Sequence, residues 1–381
     1  MDSTQVKMEN LGPLNLKKLV VGTKLETPIY YMYKNDLVML CEDIVVTGTV
    51  MGTFLTVKTT HGDLYVDKNK YPELIKIDTD KKNFKSADDE VYFRDLEAVA
   101  AVYDDTLKKV KRLYDYAKQT SEVDLFLTQE IVDAIKTLLQ EHRGDAIFIC
   151  ISQQRDVNNY LYTHILDVGI MNGLMGMWIN LDEENREKLI SVGILHDIGK
   201  TQIPDEILNK PGKYTQEEYD LVKRHSLLSY DLVKKAGIKD LNILHGIRSH
   251  HERMIGTGYP DGLDGSSIPF FGRVTAICDV YDAMITTRCY KEAVSPFAVL
   301  SEFTKERYSD FDIKYVNLFL ETAGSLLVGR DVVLSDGRIA TVQCTRPDAY
   351  AYPIVNIDGE IIITNSNLYC KEMYEPDIDI F

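Results

Sequence analysis

The sequence predicts an α+β chain in which an all-helical bundle is flanked by small β-rich modules at its amino and carboxyl ends. The predictive signal is a double change of period. Residues 16 to about 90 are rich in Val, Thr, Tyr and Ile, with short apolar runs between turn residues, as strands require. From about residue 94 apolar residues recur every three or four positions, as helices require, and after about residue 326 the strand texture returns. A chain of 381 residues has room for two or three domains. The division expected is 1–93 as an amino-terminal β module, 94–124 as a connecting helix, 125–325 as the helical domain and 326–381 as a carboxy-terminal β module.

In the first zone Lys34-Asn35-Asp36 and His61-Gly62-Asp63 read as turns, while Ile44-Val45-Val46-Thr47 and Phe54-Leu55-Thr56-Val57 read as strands. No chemical motif lies there. Leu96, Ala100, Tyr103, Leu107, Val110, Tyr114 and Ala117 then form a heptad-like seam. Packing of that seam on its own domain is the simpler expectation, and a homodimer through the 96–117 helix is the alternative. Asp182 precedes an acidic first turn, and Thr215-Gln216-Glu217-Glu218 reads as a capping box. Gly199, Pro211-Gly212 and Gly237 supply stops and turns. In the last zone Ser335-Asp336-Gly337 and Ile357-Asp358-Gly359 are hairpin turns between apolar runs, and the acidic tail from Tyr374 is expected to fray.

Charge removes several functions. Fifty-nine acidic residues against 43 basic ones give a formal net charge of −16. Affinity for nucleic-acid polymers comes largely from Lys and Arg neutralising phosphates, so such a partner is not expected. Anionic lipid is disfavoured for the same reason. The cysteines (Cys41, Cys150, Cys278, Cys289, Cys344 and Cys370) are scattered without a CxxC pair, which fits reduced thiols in a cytoplasm. No apolar run approaches the roughly 18 residues needed to span a bilayer, and the amino terminus lacks a signal-peptide core. Membrane insertion is therefore not expected.

Six of the eight histidines lie between His164 and His251. His164 falls on the apolar face marked by Tyr160, Leu161, Val168 and Met171. His196-Asp197 ends an apolar segment, His225 follows a capped helix start, His250-His251 ends another helical stretch, and Asp279 sits in Ile277-Cys278-Asp279-Val280. A single inward histidine is more often a hydrogen-bonded core residue than a ligand. A set of inward His and Asp on several helices is costly to bury unless each is paired or coordinates a metal. Imidazole and carboxylate without sulfur suit Fe, Mn, Zn or Ni. An adjacent His-Asp pair lets one side chain bind one ion while the carboxylate bridges to a second, and two such ions can clamp a phosphate during in-line displacement. His245 reads as structural, and His61 and His142 as surface residues.

These residues resemble a known family. His164, His196-Asp197 and Asp279 are similar to the H…HD…D framework of the HD phosphohydrolases. His196-Asp197-Ile198-Gly199-Lys200, the stretch Ile203–Gly212, His225, His250-His251-Glu252 and Gly256-Thr257-Gly258-Tyr259-Pro260-Asp261-Gly262-Leu263 resemble its HD-GYP subgroup of bacterial cyclic-dinucleotide phosphodiesterases. The resemblance covers about residues 150–325. It implies an HD-type helical bundle holding two divalent ions, Fe or Mn. His164, His196, Asp197 and Asp279 would hold one, and Asp197, His225, His250 and His251 the other. It further implies hydrolysis of cyclic di-GMP to linear pGpG by a hydroxide held between the ions, with GMP from a second cut. Lys200 would sit beside the hydroxide and a phosphate oxygen, with Arg288 and Lys291 on substrate phosphate and Gly258, Tyr259 and Pro260 shaping a substrate loop.

The sequence departs from that family at three positions. Some members recruit a third metal with a Glu where Tyr160 stands, so two ions are expected; Ile255 and Cys289 replace an acidic residue and a Pro. Two alternatives stay open: a cyclic-dinucleotide receptor signalling through its β modules, and a hydrolase of another cyclic dinucleotide such as cyclic GMP-AMP.

Overall fold

The chain divides into two units, residues 1–83 and residues 84–375. The computed structural model describes residues 87–153, 160–210, 212–288, 295–306 and 308–374, and before them 10–14, 19, 24–34, 36–47, 50, 53, 54, 57, 64–68, 70 and 71.

The first unit contains β1 (Leu11–Pro13), β2 (Lys24–Leu25), β3 (Ile29–Tyr33), β4 (Asp36–Cys41), β5 (Ile44–Val45) and β6 (Leu64–Asp67). Antiparallel pairing gives one sheet in the order β1-β6-β3-β4 and a separate β2-β5 ribbon. Lys34 turns the β3–β4 hairpin at a φ of 49°, where the sequence signals a turn. One expectation is corrected. Phe54 and Val57 have helical, not extended, backbone, because Val50, Phe54 and Val57 recur at helical spacing and face the core built on Leu25, Ile29 and Leu64. The turn at His61-Gly62-Asp63 lies outside the described residues.

The second unit begins with α1 (Ala87–Thr120), α2 (Leu125–Glu141), α3 (Gly144–Gln153), α4 (Tyr160–Trp178) and α5 (Glu183–Leu195). A 3₁₀ turn (Ile198–Gln202) leads to α6 (Asp205–Leu208), α7 (Gln216–Lys223), α8 (His225–Lys235) and α9 (Leu241–Ser249). Then come α10 (Phe270–Arg288), α11 (Pro296–Glu306) and α12 (Ile313–Leu326). Side chains cap the starts as the sequence signals. Asp182 accepts from the Asn185 amide at 2.8 Å, and Thr215 with Glu218 closes the capping box before α7.

The bundle is organised around α4, in which every residue from Thr163 to Gly176 is buried. A helix that is apolar on all sides must be surrounded, and α4 packs against α1, α2, α5 and α10. The closest approach is between backbones: a Cβ on Gly193 of α5 would stand 2.7 Å from Gly169 Cα of α4. The seam on α1 is spent inside this bundle. Leu96, Ala100, Tyr103, Val110, Tyr114 and Ala117 are buried in the core, with Leu107 packed against it.

The unit ends in a sheet of β7 (Asp331–Leu334), β8 (Ile339–Cys344), β9 (Ile354–Ile357), β10 (Glu360–Ile363) and β11 (Cys370–Met373), ordered β10-β9-β8-β7-β11 and antiparallel. Its two predicted turns place Gly337 at φ 86°, and Asp358 and Gly359 at 50° and 95°, the left-handed region such hairpins need. Val332, Leu334, Val342 and Val355 share the helical core, and Arg330 pairs with Asp145 while lying 3.9 Å over the Tyr92 ring. The helical body with small antiparallel sheets at either end of the sequence is the predicted fold class. No helix among the described residues is long and apolar enough to cross a membrane.

Candidate functional site

Helix ends carry most of the histidines. His196 is the C-cap of α5, His250 the C-cap of α9, and His225 opens α8 directly after α7. Carbonyls at helix ends lose their intrahelical amide partners, and here imidazoles take their place. Nδ1 of His196 lies 2.7 Å from Gly193 O, that of His225 2.6 Å from Val222 O, and that of His250 2.6 Å from Ile247 O. A carbonyl only accepts, so each Nδ1 carries the proton and each Nε2 presents a lone pair. His164 differs, because it lies one turn inside α4 where the carbonyls serve the helix. Its Nδ1 faces Asp282 Oδ2 at 2.6 Å instead, and its Nε2 faces Asp279 Oδ1 at 3.3 Å.

All seven candidate ligands come together in two groups able to hold an ion: Asp197 with His225, His250 and His251, and His164 with His196 and Asp279. Within them acceptor faces acceptor. His225 Nε2 lies 3.2 Å from Asp197 Oδ1, 3.3 Å from His250 Nε2 and 3.0 Å from His251 Nε2. Among the described residues, the buried His196 Nε2 and Asp197 Oδ1 have no hydrogen-bond partner. Buried lone pairs so arranged are costly unless a cation compensates them. Nitrogen and carboxylate donors without sulfur fit a divalent transition ion. Asp197 reaches both groups, its Oδ2 standing 3.4 Å from His196 Nε2 and 3.7 Å from His164 Nε2.

The electrostatics agree. Burial pushes the His225 pKa down to about 4. Burial, helped by neighbouring imidazoles, holds His250 and His251 well below the usual value, so these side chains are neutral donors. Burial opposes ionisation of Asp197 and Asp279, but Lys200 for the first, and His164 for the second, hold both well below the ordinary carboxylate range. For His164 burial is outweighed by its bonds to Asp279 and Asp282, which lift its pKa to about 10. A proton and a cation therefore compete for the position between His164 and Asp279.

Lys200 ion-pairs with Asp197 across the first turn of the 3₁₀ segment. Gly199 makes that turn possible: a Cβ there would meet His225 O at 2.3 Å and Ser229 N at 2.4 Å, and its amide donates to Ser229 Oγ at 2.8 Å. The Tyr259 ring packs 4.6 Å from that of His251, and Tyr160 6.0 Å from that of His164. Gly258 lies against the backbone of residues 251–253, where a Cβ would stand 2.4 Å from Glu252 Cα, so its small size serves loop packing. Pro260 follows in the same loop, after a cis Tyr259–Pro260 bond. Arg288 ends the helix that carries Asp279, but its side chain and all of Lys291 lie outside the described residues. Asp205 accepts from Lys118 of α1 at 2.6 and 2.7 Å. His142 is not the surface residue expected: it is mostly buried, with Nδ1 2.6 Å from Asp95, whose other oxygen caps the Arg143 amide.

Four further residues support the site without having been singled out for it by sequence. Asp282 and Asp167 are buried behind His164, and Tyr103 Oη donates to Asp167 at 2.8 Å. Tyr114 Oη donates 2.9 Å to Ile194 O, two residues before His196. A fifth, Glu252, was noted only as part of a motif. It is buried and clamps the loop after the double His, accepting from Asp261 N at 2.7 Å and Leu263 N at 2.9 Å. Glu252→Ala is expected to free both amides, at about 1.5–3 kcal/mol for each bond to a charged group. Amide exchange at Asp261 and Leu263 should accelerate, with Glu252→Gln, which keeps one acceptor, lying between.

Comparison with known proteins agrees with this geometry. Residues 166–314 match the HD domain family. The cyclic di-GMP phosphodiesterase response regulator RpfG of Xanthomonas campestris is 38% identical over 156 residues, 40% of this chain and 41% of that one. A cyclic di-GMP phosphodiesterase of Pseudomonas aeruginosa is 30% identical over 233 residues, 61% of this chain and 56% of that one. A 3'3'-cGAMP-specific phosphodiesterase of Vibrio cholerae is 32% identical over 159 residues, 42% of this chain and 30% of that one. The chain thus spans about half the length of the first two relatives or less. Six of the seven clustered side chains lie inside the segment that matches the HD domain family, and His164 lies two residues before it, so the site falls within an HD domain similar to those of cyclic-dinucleotide phosphodiesterases.

Proposed function

We propose that the chain is a metal-dependent phosphodiesterase that opens a cyclic dinucleotide, with cyclic di-GMP as substrate and linear pGpG as first product. The observation that carries this reading is the convergence of seven donors, six of them buried, into two groups joined by Asp197. A pair of divalent ions, Fe or Mn, would supply an acidified water and neutralise phosphate charge. His164, His196 and Asp279 would hold one and His225, His250 and His251 the other, with Asp197 shared. Lys200, paired with Asp197, would hold its proton against a non-bridging phosphate oxygen as negative charge builds there. Arg288 and Lys291 would grip the second phosphate, for which a planar fork and a point charge are both suited. Tyr259 packs against His251 at one side of the site.

Hydrolysis of a mixed cyclic GMP-AMP is the second reading, supported by the similarity to a relative of that named specificity. Incubation of purified, metal-replete chain with a panel of cyclic dinucleotides, read by chromatography, tests both. Loss of cyclic di-GMP with appearance of pGpG supports the first reading, and preferential loss of cyclic GMP-AMP the second. Binding of cyclic di-GMP without cleavage would leave only a receptor.

Two divalent ions set against Asp197 and Asp279 give the site about +2, so substrate affinity should depend on them. Chelation is expected to abolish turnover and weaken cyclic di-GMP binding at least about 10-fold, an effect Mn²⁺ should reverse. Calorimetry before and after chelation checks this.

A further inference from the structure

Three imidazoles of the site are aimed by main-chain carbonyls, but His164 depends on side chains. Behind it the hydrogen bonds continue. Asp282 Oδ2 meets His164 Nδ1 at 2.6 Å, the carboxyls of Asp282 and Asp167 are hydrogen-bonded to each other, and Asp167 Oδ1 accepts from Tyr103 Oη at 2.8 Å. Tyr103 is 1% exposed, and Asp167 and Asp282 are each 3% exposed, so water does not substitute for any link. The chain crosses three helices, from α1 through α4 to α10, and returns to the ligand on α4.

We propose that Tyr103 and Asp167 are positioning residues for the metal ligand His164, acting through Asp282. The inference rests on the metal reading of the site. Two carboxyls share a hydrogen bond only when one supplies the proton. Asp282 accepts from His164 on one oxygen and Asp167 accepts from Tyr103 on one oxygen, so a single proton joins the remaining two. Burial and the charge of Asp282 push the Asp167 carboxyl well above the ordinary range, which assigns that proton to Asp167. Asp282 is thereby held as an acceptor that locks His164 Nδ1–H and leaves Nε2 facing Asp279. The links reach His164, in the group with His196 and Asp279; in the other group His225 and His250 are aimed by carbonyls, and His251 Nδ1 lies 3.6 Å from Asp279 Oδ2.

Competition with a chromophoric chelator, using Mn²⁺ alone as probe on the full chain, tests the proposal by resolving two binding steps. Tyr103→Phe, which keeps the ring, and Asp167→Ala should each weaken one step about 10-fold or more and leave the other within about threefold. Asp167→Asn offers an oxygen to Tyr103 and an N–H to Asp282, and should restore both steps. Tyr116→Phe, an exposed hydroxyl on the same helix, should change neither.

Thermal denaturation of the metal-free variants reports folding separately, and should Asp167→Ala not fold, Tyr103→Phe decides alone. Equal weakening of both steps would show a general structural role and overturn the proposal, as would wild-type binding in Tyr103→Phe. A wild-type chain that bound no Mn²⁺ would instead overturn the metal reading itself, and this inference with it.

Discussion

Asp197→Ala should lower cyclic-dinucleotide turnover about a thousandfold or more, because it removes the one side chain that serves both halves of the site. Loss of a single preorganised charge-stabilising group already costs about 10²–10³ in rate. Asp197 does more than that. Its Oδ1 faces His225 at 3.2 Å, its Oδ2 faces His196 at 3.4 Å, and it carries the ion pair with Lys200. Without it the Lys200 ammonium loses its partner, and the histidine lone pairs lose the anion that makes cation binding favourable. Bound metal, measured by elemental analysis after desalting, should fall from two equivalents to one or none. His245→Ala alters an exposed histidine outside both groups and should retain turnover and metal. An Asp197→Ala enzyme with near-normal turnover would remove the shared-ligand mechanism.

Gly193→Ala is expected to have the largest effect on stability for the smallest change in mass. The added methyl would stand 2.7 Å from Gly169 Cα, 2.9 Å from Gly169 N and 2.9 Å from Val168 O, so it meets main chain and cannot be relieved by a rotamer change. Overpacking of this kind costs typically 1–3 kcal/mol, and a backbone neighbour places it near the upper end. At about 2.1 cal/mol/K of unfolding entropy per residue, a unit spanning 84–375 loses about 1.5–2 °C of Tm per kcal/mol, so a fall of roughly 3–6 °C is expected by calorimetry. The helices forced apart are α4, which carries His164, and α5, which delivers His196, so Mn²⁺ affinity should fall with it. A variant with unchanged Tm would mean that α4 and α5 pack less closely than described.

The candidate ligands were legible because chemistry-bearing residues interrupt otherwise apolar helices, and because helix stops at Gly199 and around Gly256–Gly262 punctuate them. The fold class was legible from the change of period alone. Asp167 was not. An Asp among Ile165, Leu166, Val168 and Ile170 stands out as a buried acid, but nothing local names its partners, which arrive from Tyr103 and Asp282 at separations of 64 and 115 residues. The one clue was the spacing of Asp279 and Asp282, a single helical turn that puts both on the face toward α4. The run at Phe54 misled because four β-prone residues read as a strand, whereas Val50, Phe54 and Val57 follow the helical period over a longer window. His142 misled because its acid, Asp95, is 47 residues away.

The carbonyl-held imidazoles have a consequence for inheritance. A main-chain oxygen is present whatever the codon, so substitutions beside Gly193, Val222 and Ile247 can drift without unaiming the ligand each one holds. His164 has no such insurance, since on our proposal its aim is written in three separate codons on three helices. Mutation therefore erodes the two halves of the site at unequal rates. On the proposal above, a descendant that lost Tyr103 or Asp167 would weaken the His164 half first and keep His225, His250 and His251 in place.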